Sequence, residues 1–182
     1  MNLVVINGLP GTGKLTVAKE LAEILDYKIL HNHLVVDLVS SIFQSRTKPY
    51  FSLVEKMRMD LIEKAFKNNE KGLILTYVYG LKNQNGKTDT RFTKRLVDKF
   101  EKHDGKIFFI KLLCDEDELR KRIESPSRKA FGKLNKASAL ESIKNEYNLD
   151  AIVPFRNNLT IDNTKLPPRA AARKIAEHYG FC

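Results

Sequence analysis

Residues 3–14 read Leu3-Val4-Val5-Ile6-Asn7-Gly8-Leu9-Pro10-Gly11-Thr12-Gly13-Lys14, an apolar run that breaks into a glycine-rich turn ending on a lysine. Leu3 to Ile6 is continuous and rich in β-branched residues, the pattern of a strand buried on both faces of a parallel sheet. Beyond the turn, Val17, Leu21, Ile24 and Leu25 recur at helical spacing. A buried strand, then Gly8, four residues, Gly13 and Lys14, then an amphipathic helix is the setting a phosphate-binding loop requires. Without Cβ atoms the glycines let the backbone turn so that successive N–H groups point at phosphate oxygens, and the helix N-terminus adds partial positive charge. Lys14 supplies a mobile charge for the outer phosphates. The expected nucleotide-binding segment is therefore Gly8, Pro10, Gly11, Thr12, Gly13, Lys14, Leu15 and Thr16, with ATP the expected ligand. One position departs from the pattern. The residue after Lys14, usually a Ser or Thr that holds magnesium, is Leu15; Thr16 comes one place late, about 100° around the helix.

Working outward, Lys28-Ile29-Leu30 reads as a second strand, and Val35, Leu38, Val39 and Ile42 as a helix ended near Pro49. A longer helix carries Leu53, Val54, Met57, Leu61, Ile62 and Phe66. Leu73 to Tyr79 is a third strand, followed by a polar loop from Leu81 to Thr88. Asp89 is placed to cap a helix whose face is Phe92, Leu96, Val97 and Phe100. Ile107 to Leu113 is the fourth strand, and a helix through Leu119 and Ile123 runs into Ser125-Pro126-Ser127-Arg128. A further helix through Leu140 and Ile143, a last strand Leu159-Thr160-Ile161, a turn from Asp162 to Pro168 and a helix with Ala171, Ile175 and Tyr179 complete the chain. Strands alternating with helices imply a three-layer α/β fold with a five-stranded parallel sheet.

At 182 residues, 42% hydrophobic and 30% charged, the chain suits one domain with one core. Cys114 and Cys182 form no closely spaced pair, which argues against a disulfide framework or a zinc knuckle and for a reducing, cytoplasmic setting. No apolar run approaches the roughly 20 residues that span a bilayer, and Met1 to Asn7 carries no basic leader, so a soluble, unprocessed protein without membrane partners is expected. The net charge of +10 favours anionic partners without choosing among nucleotides, phosphorylated metabolites, nucleic acid and acidic membranes. Its Lys and Arg residues are scattered among Asp and Glu, as on an ordinary solvated surface.

With the glycine loop go Arg120, Arg122 and Arg128 around the segment after the fourth strand, and Asp162-Asn163-Thr164 to Pro168 before the last helix. In these features the chain resembles the nucleoside-monophosphate-kinase-like group of P-loop kinases, which includes shikimate kinase, gluconate kinase, chloramphenicol phosphotransferase and adenylate kinase. The resemblance covers nearly the whole chain. It implies the P-loop nucleoside triphosphate hydrolase fold with sheet order 2-3-1-4-5, an arginine-bearing helical lid near residues 120–136, and a loop at Asp162 and Thr164 that packs on the adenine. Gly13-Lys14-Leu15-Thr16 followed by His31-Asn32-His33 and Asp37 looks most like bacterial P-loop ATPase-like proteins without an assigned substrate. The resemblance thus supplies a fold and leaves the acceptor open.

Phosphoryl transfer needs positioning, charge neutralisation and a group that orients or deprotonates the acceptor. Arg122 and Arg128 are candidates to clamp the moving phosphoryl group, because planar guanidinium forks match phosphate oxygens; solvated helix charges are the alternative. His31 and His33 leave the carboxyl end of the second strand, the edge at which α/β folds bind ligands. Shikimate kinase carries acids at the matching place. A neutral imidazole accepts a proton or binds a metal, and Asp37, four residues past His33, is placed to orient it or to serve as a magnesium ligand. Capping or packing is the plainer role for both histidines. A zinc site from His31, His33 and Asp37 lacks further obvious ligands, and the literal His-Asn-His string is not a nuclease motif, whose residues are separated in sequence. Tyr77 and Tyr79 stand where many P-loop enzymes carry a magnesium-orienting acid; lining an acceptor pocket by stacking or hydrogen bonding is one role open to them, and filling the core edge is the simpler one.

Three functions follow. The first is a kinase that moves the γ-phosphate of ATP, with Mg2+, to the hydroxyl or phosphate of a small molecule, and the candidate catalytic set is Lys14, His33, Asp37, Arg122 and Arg128. The second is a nucleic-acid-directed kinase or binder, motivated by the charge and by the basic stretch from Arg120 to Lys136. The third is a nucleotide-binding protein without turnover, motivated by Leu15 and the missing acid.

Overall fold

The computed structural model describes residues 1–45, 47–82, 88, 90–125, 145–148 and 151–181. Five strands, β1 (Asn2–Asn7), β2 (Lys28–His31), β3 (Gly72–Tyr77), β4 (Lys106–Leu113) and β5 (Asn158–Asp162), alternate with helices α1 (Lys14–Leu25), α2 (Asn32–Ser40), α3 (Lys48–Lys67), α4 (Arg91–Glu101), α5 (Glu116–Glu124) and α6 (Pro168–Tyr179). All strand pairings are parallel and the order is β2-β3-β1-β4-β5. This is the expected P-loop fold and sheet order. β1 sits at the centre, with Asn2–Asn7 in register with Gly72–Tyr77 on one side and Lys106–Lys111 on the other.

The apolar runs are continuous because both faces of the sheet are covered. Leu3 and Val5 join Leu75 and Phe109 in a core beneath α2, α3 and α4, whereas Val4 and Ile6 join Ile74 and Ile110 in a second core beneath α1 and α6. Leu3 to Ile6 have no exposed surface, so each contributes about 1.5–3 kcal/mol of burial. Alternate residues of one strand thus anchor opposite helical layers.

Helix ends follow local chemistry. Asp26, at φ 55°, closes α1 in the left-handed conformation. Asp115 caps α5 by accepting from the Glu118 N–H at 2.8 Å, with Glu116 to Glu118 in the first turn and Lys121 and Arg122 in the last, matching the helix dipole. Two expectations need correction. Pro49 does not end α2, which stops at Ser40; it lies in the first turn of α3, where its missing N–H costs nothing. Leu38, Ile42 and Leu61 are 52%, 74% and 47% exposed, because the buried stripes run through Val35 and Val39 on α2 and Val54, Arg58 and Ile62 on α3. Asp89, the helix expected around Leu140 and Ile143, Arg128 and the lid segment beyond Ser125 lie outside the described residues. Among those described, no helix is long and apolar enough to cross a membrane.

Candidate functional site

The carboxyl ends of the strands meet at a cleft of about 580 Å³. The loop after β1 supplies Pro10, Gly11 and Gly13, and the first turn of α1 supplies Lys14, Leu15, Thr16 and Val17. The end of β2 and start of α2 bring His31, Asn32 and His33; β3 brings Thr76, and Val78 follows just past its end. Arg122 and Ser125 close the wall on the α5 side, and Asn163, Leu166 and Pro168 do so after β5. Segments far apart in sequence converge because parallel strands all present their carboxyl ends on one edge.

The loop has the shape that an anion cradle needs. Gly8, Gly11 and Gly13 take φ values of 147°, 97° and 83°, and Gly13 starts α1 without a capping side chain. Lys14 folds back over the loop, its ammonium donating to the carbonyls of Gly8 at 2.8 Å and Leu9 at 2.7 Å. Thr12 is buried, and its hydroxyl donates to the Leu9 carbonyl at 2.9 Å. Gly8 and Thr12 therefore shape the loop from behind, while Pro10, Gly11, Gly13, Lys14, Leu15 and Thr16 face the cleft. These residues fit a polyphosphate: an uncapped helix N-terminus and a lysine meet at one end of an open cleft.

His33 and Asp37 form an i, i+4 pair on α2, with Nδ1 3.0 Å from Oδ1 and 3.3 Å from Oδ2. With the proton on Nδ1, the imidazole donates to the carboxylate and leaves its Nε2 lone pair available. His33 lines the cleft and Asp37 stands outside its lining, 63% exposed. Asp37 is thus placed to orient the histidine rather than to face a metal in the cleft. Among the described residues no carboxylate lines the cleft, and no group of three or more His, Cys, Asp and Glu side chains is arranged to hold a metal ion. Among the described residues, those that line the cleft do not build a magnesium site of their own.

Arg122 is occupied differently from a free phosphate clamp. Its Nε donates to Glu118 at 2.8 Å, and its Nη2 donates to the carbonyls of Asn163 at 3.1 Å and Thr164 at 2.8 Å. The guanidinium therefore fastens the loop after β5 to α5 while keeping an edge on the cleft. Arg120 pairs with Glu116 on the same helix.

In the loop after β5, Asp162 Oδ1 accepts from the Thr164 hydroxyl at 2.6 Å and from the Thr164 N–H at 2.9 Å, and the Thr164 oxygen accepts from the Asp115 N–H at 2.9 Å. Those hydroxyl and backbone bonds hold the Asp162 carboxyl below its ordinary range. Asp162 and Thr164 are absorbed by the turn, and the residue aimed into the cleft is Asn163. Sequence reading singled out its two neighbours because consecutive side chains in a turn diverge, and only the tertiary hydrogen bonds decide which points inward. Asn163 is 3% exposed, and its Nδ2 donates to the Thr12 carbonyl at 2.7 Å. Asn163→Ala leaves that carbonyl unpaired and is expected to cost about 1–3 kcal/mol, read as a lower urea midpoint.

Asn32, Thr76 and Arg58 were also missed. The Asn32 N–H donates to Thr76 Oγ1 at 3.2 Å, tying the start of α2 to β3. Arg58 hydrogen-bonds Asn32 Oδ1 through Nη2. The signal for Arg58 was a charge four residues from Val54 and from Ile62, on the buried stripe of an amphipathic helix. Tyr77 and Tyr79 are buried in the core, as the simpler reading had it.

The family model described as "AAA domain" matches residues 4–133, and the chain belongs to that family of P-loop proteins. No curated protein matches the chain. Among solved structures it is similar to an unliganded sugar kinase from Janibacter sp. HTCC2649, with a TM-score of 0.71 at 16% identity over 100% of this chain and 96% of that one. A putative kinase from Chloroflexus aurantiacus j-10-fl gives 0.69 at 19% identity, covering 98% and 96%. Shikimate kinase from Aquifex aeolicus vf5 gives 0.60 at 18% identity, covering 99% and 96%. Likenesses at such identities carry the fold alone, the five-stranded P-loop fold described above.

Proposed function

We propose that the chain is a small-molecule kinase, a single domain over residues 1–182 that moves the γ-phosphate of ATP to a hydroxyl or phosphate group of an acceptor. The observation that supports this reading most is that one cleft holds Lys14 with the uncapped N-terminus of α1 and, from the first turn of α2, His33 backed by Asp37. The triphosphate lies along the loop, with Lys14 moving from the Gly8 and Leu9 carbonyls to the outer phosphates. Asn163, Leu166 and Pro168 take the base side, and Arg122 holds their loop in place. The acceptor oxygen attacks the γ-phosphorus, ADP leaves, and the acceptor proton passes to His33 Nε2, the resulting imidazolium being stabilised by Asp37. Arg128 is the proposed lid arginine. Magnesium would arrive as the counter-ion on the phosphates of ATP, where it would neutralise phosphate charge, and no step above depends on it. A cytoplasmic setting suits an ATP-dependent reaction.

His33→Ala is expected to change ATP affinity less than threefold and to lower turnover roughly 10²–10⁴-fold, measured by calorimetry and by an acceptor screen on the same preparation. An equal loss of both would make His33 a structural residue and sink its assigned role. The second reading, nucleotide binding without turnover, is favoured by Leu15 and by the lack of a carboxylate among the described cleft-lining residues. It predicts ATP binding with no acceptor phosphorylated.

A further inference from the structure

A separate hollow of about 180 Å³ opens between the C-terminal halves of α3 and α4. Those halves lead into β3 at Gly72 and β4 at Lys106, so the hollow lies toward the amino edge of the sheet. No residue lines both it and the phosphate-loop cleft. Met59, Ile62 and Phe66 from α3 and Leu96 and Phe100 from α4 make its walls, and all but Phe66 are buried. Phe66 stands edge-on to Phe100, with centroids 5.6 Å apart, and tilted against His103 at 5.7 Å. Bare backbone backs the two phenylalanines: a Cβ on Gly105 would lie 2.6 Å from the Phe100 ring and 2.9 Å from that of Phe66. One corner of the hollow is therefore a fixed aromatic surface, which a further ring can meet edge-on or offset.

The rim is charged but balanced. Glu63 accepts from Lys67 at 3.0 Å and from Lys99, and these bonds, that of Lys99 first, hold its carboxyl down at about 2. It is an anion between two ammonium groups at neutral pH. Lys67 and Lys99 stand in the last turns of α3 and α4, where the negative helix ends offset the one positive charge left over. This rim calls for no counter-ion of either sign. Protein interiors pack as densely as organic crystals, and an apolar hollow between helices costs stability. A cavity of about 150 Å³ with walls of this kind binds benzene.

We propose that this hollow is a second ligand site, independent of the nucleotide cleft, and that it takes an uncharged aromatic molecule of one substituted ring. The ring lies against Phe66 and Phe100 with Met59 adapting to its outline. An anionic or cationic ring would break into the Lys67, Glu63 and Lys99 balance.

The test adds p-cresol, benzoate and benzylamine to the full chain, isotope-labelled at its methionine methyl groups, and reads binding by nuclear magnetic resonance. The chain has three methionines, Met1, Met57 and Met59, and the Met59 signal is assigned with Met59→Leu, a swap of similar volume. p-Cresol is expected to shift that signal saturably, with a Kd of about 0.1–1 mM, and to show an Overhauser contact between its ring and the Met59 methyl. It is expected to bind tenfold or more tightly than the benzoate anion or the benzylammonium ion, and equally well when a non-hydrolysable ATP analogue fills the cleft. Met59→Phe places a ring of the protein's own in the hollow; it is expected to weaken p-cresol at least tenfold, read on the ligand signals, and to keep or raise the melting temperature. If that variant fails to fold, the Overhauser contact in the wild-type chain decides. Absence of a saturable shift at Met59, binding of either ion as tight as that of p-cresol, displacement by the ATP analogue, or p-cresol binding retained in Met59→Phe overturns the proposal, whether or not the chain transfers phosphate.

Discussion

Lys14→Ala is expected to lower ATP affinity roughly ten- to a hundredfold while leaving the melting temperature within a few degrees of wild type. The ammonium is the cation the loop itself places over the phosphate site, and a charge-assisted hydrogen bond is worth about 1.5–3 kcal/mol. In the ligand-free chain it rests on two carbonyls of its own loop, contacts that a bound polyphosphate replaces with stronger ones. Removing it therefore subtracts more from the complex than from the free protein. Calorimetric titration of the variant checks this, and wild-type affinity would count against the loop as a phosphate site.

Gly8→Ala is expected to damage both folding and binding. Gly8 sits at φ 147°, and a Cβ there would lie 2.6 Å from the Leu112 carbonyl oxygen and 2.9 Å from Thr12 Oγ1. Leu112 belongs to β4 and is 1% exposed, so its backbone cannot retreat without disturbing the centre of the sheet. The strained conformation alone costs about 1–3 kcal/mol, and the displaced loop would no longer aim its N–H groups at one point. A urea midpoint together with an ATP titration reads both effects; a variant that keeps wild-type values in each would show that the loop geometry is not what binds nucleotide.

The fold was legible where the signal is local. Leu3 to Ile6 announces a doubly covered strand, and the spacing from Gly8 to Lys14 announces the turn and the helix start, because neither depends on distant residues. Sheet order depends on which strands pair across the chain, and it came from resemblance to a kinase group rather than from periodicity. Pro49 was misplaced for a related reason: proline is incompatible with a helix interior yet welcome in the first turn, and sequence alone did not separate an end from a beginning.

The site was legible in part. Lys14, Leu15, Thr16 and His33 line the cleft, and Arg122 joins them while spending its fork on the carbonyls of Asn163 and Thr164. Asp162 and Thr164 close a turn on each other and leave Asn163 facing inward. Arg58 was hidden on a buried helical stripe among apolar residues, where the expectation of a hydrophobic face masked the one charge that breaks it.

The most direct test of the nucleotide-dependent phosphotransferase reading is to titrate the purified chain with ATP, with and without magnesium, and to follow γ-labelled ATP in the same sample against a panel of small acceptors. The expected result is saturable ATP binding with label passing to an acceptor, both reduced by Lys14→Ala. Absence of ATP binding would contradict the assignment of the glycine loop, and saturable binding with no label transferred to any acceptor would contradict the kinase.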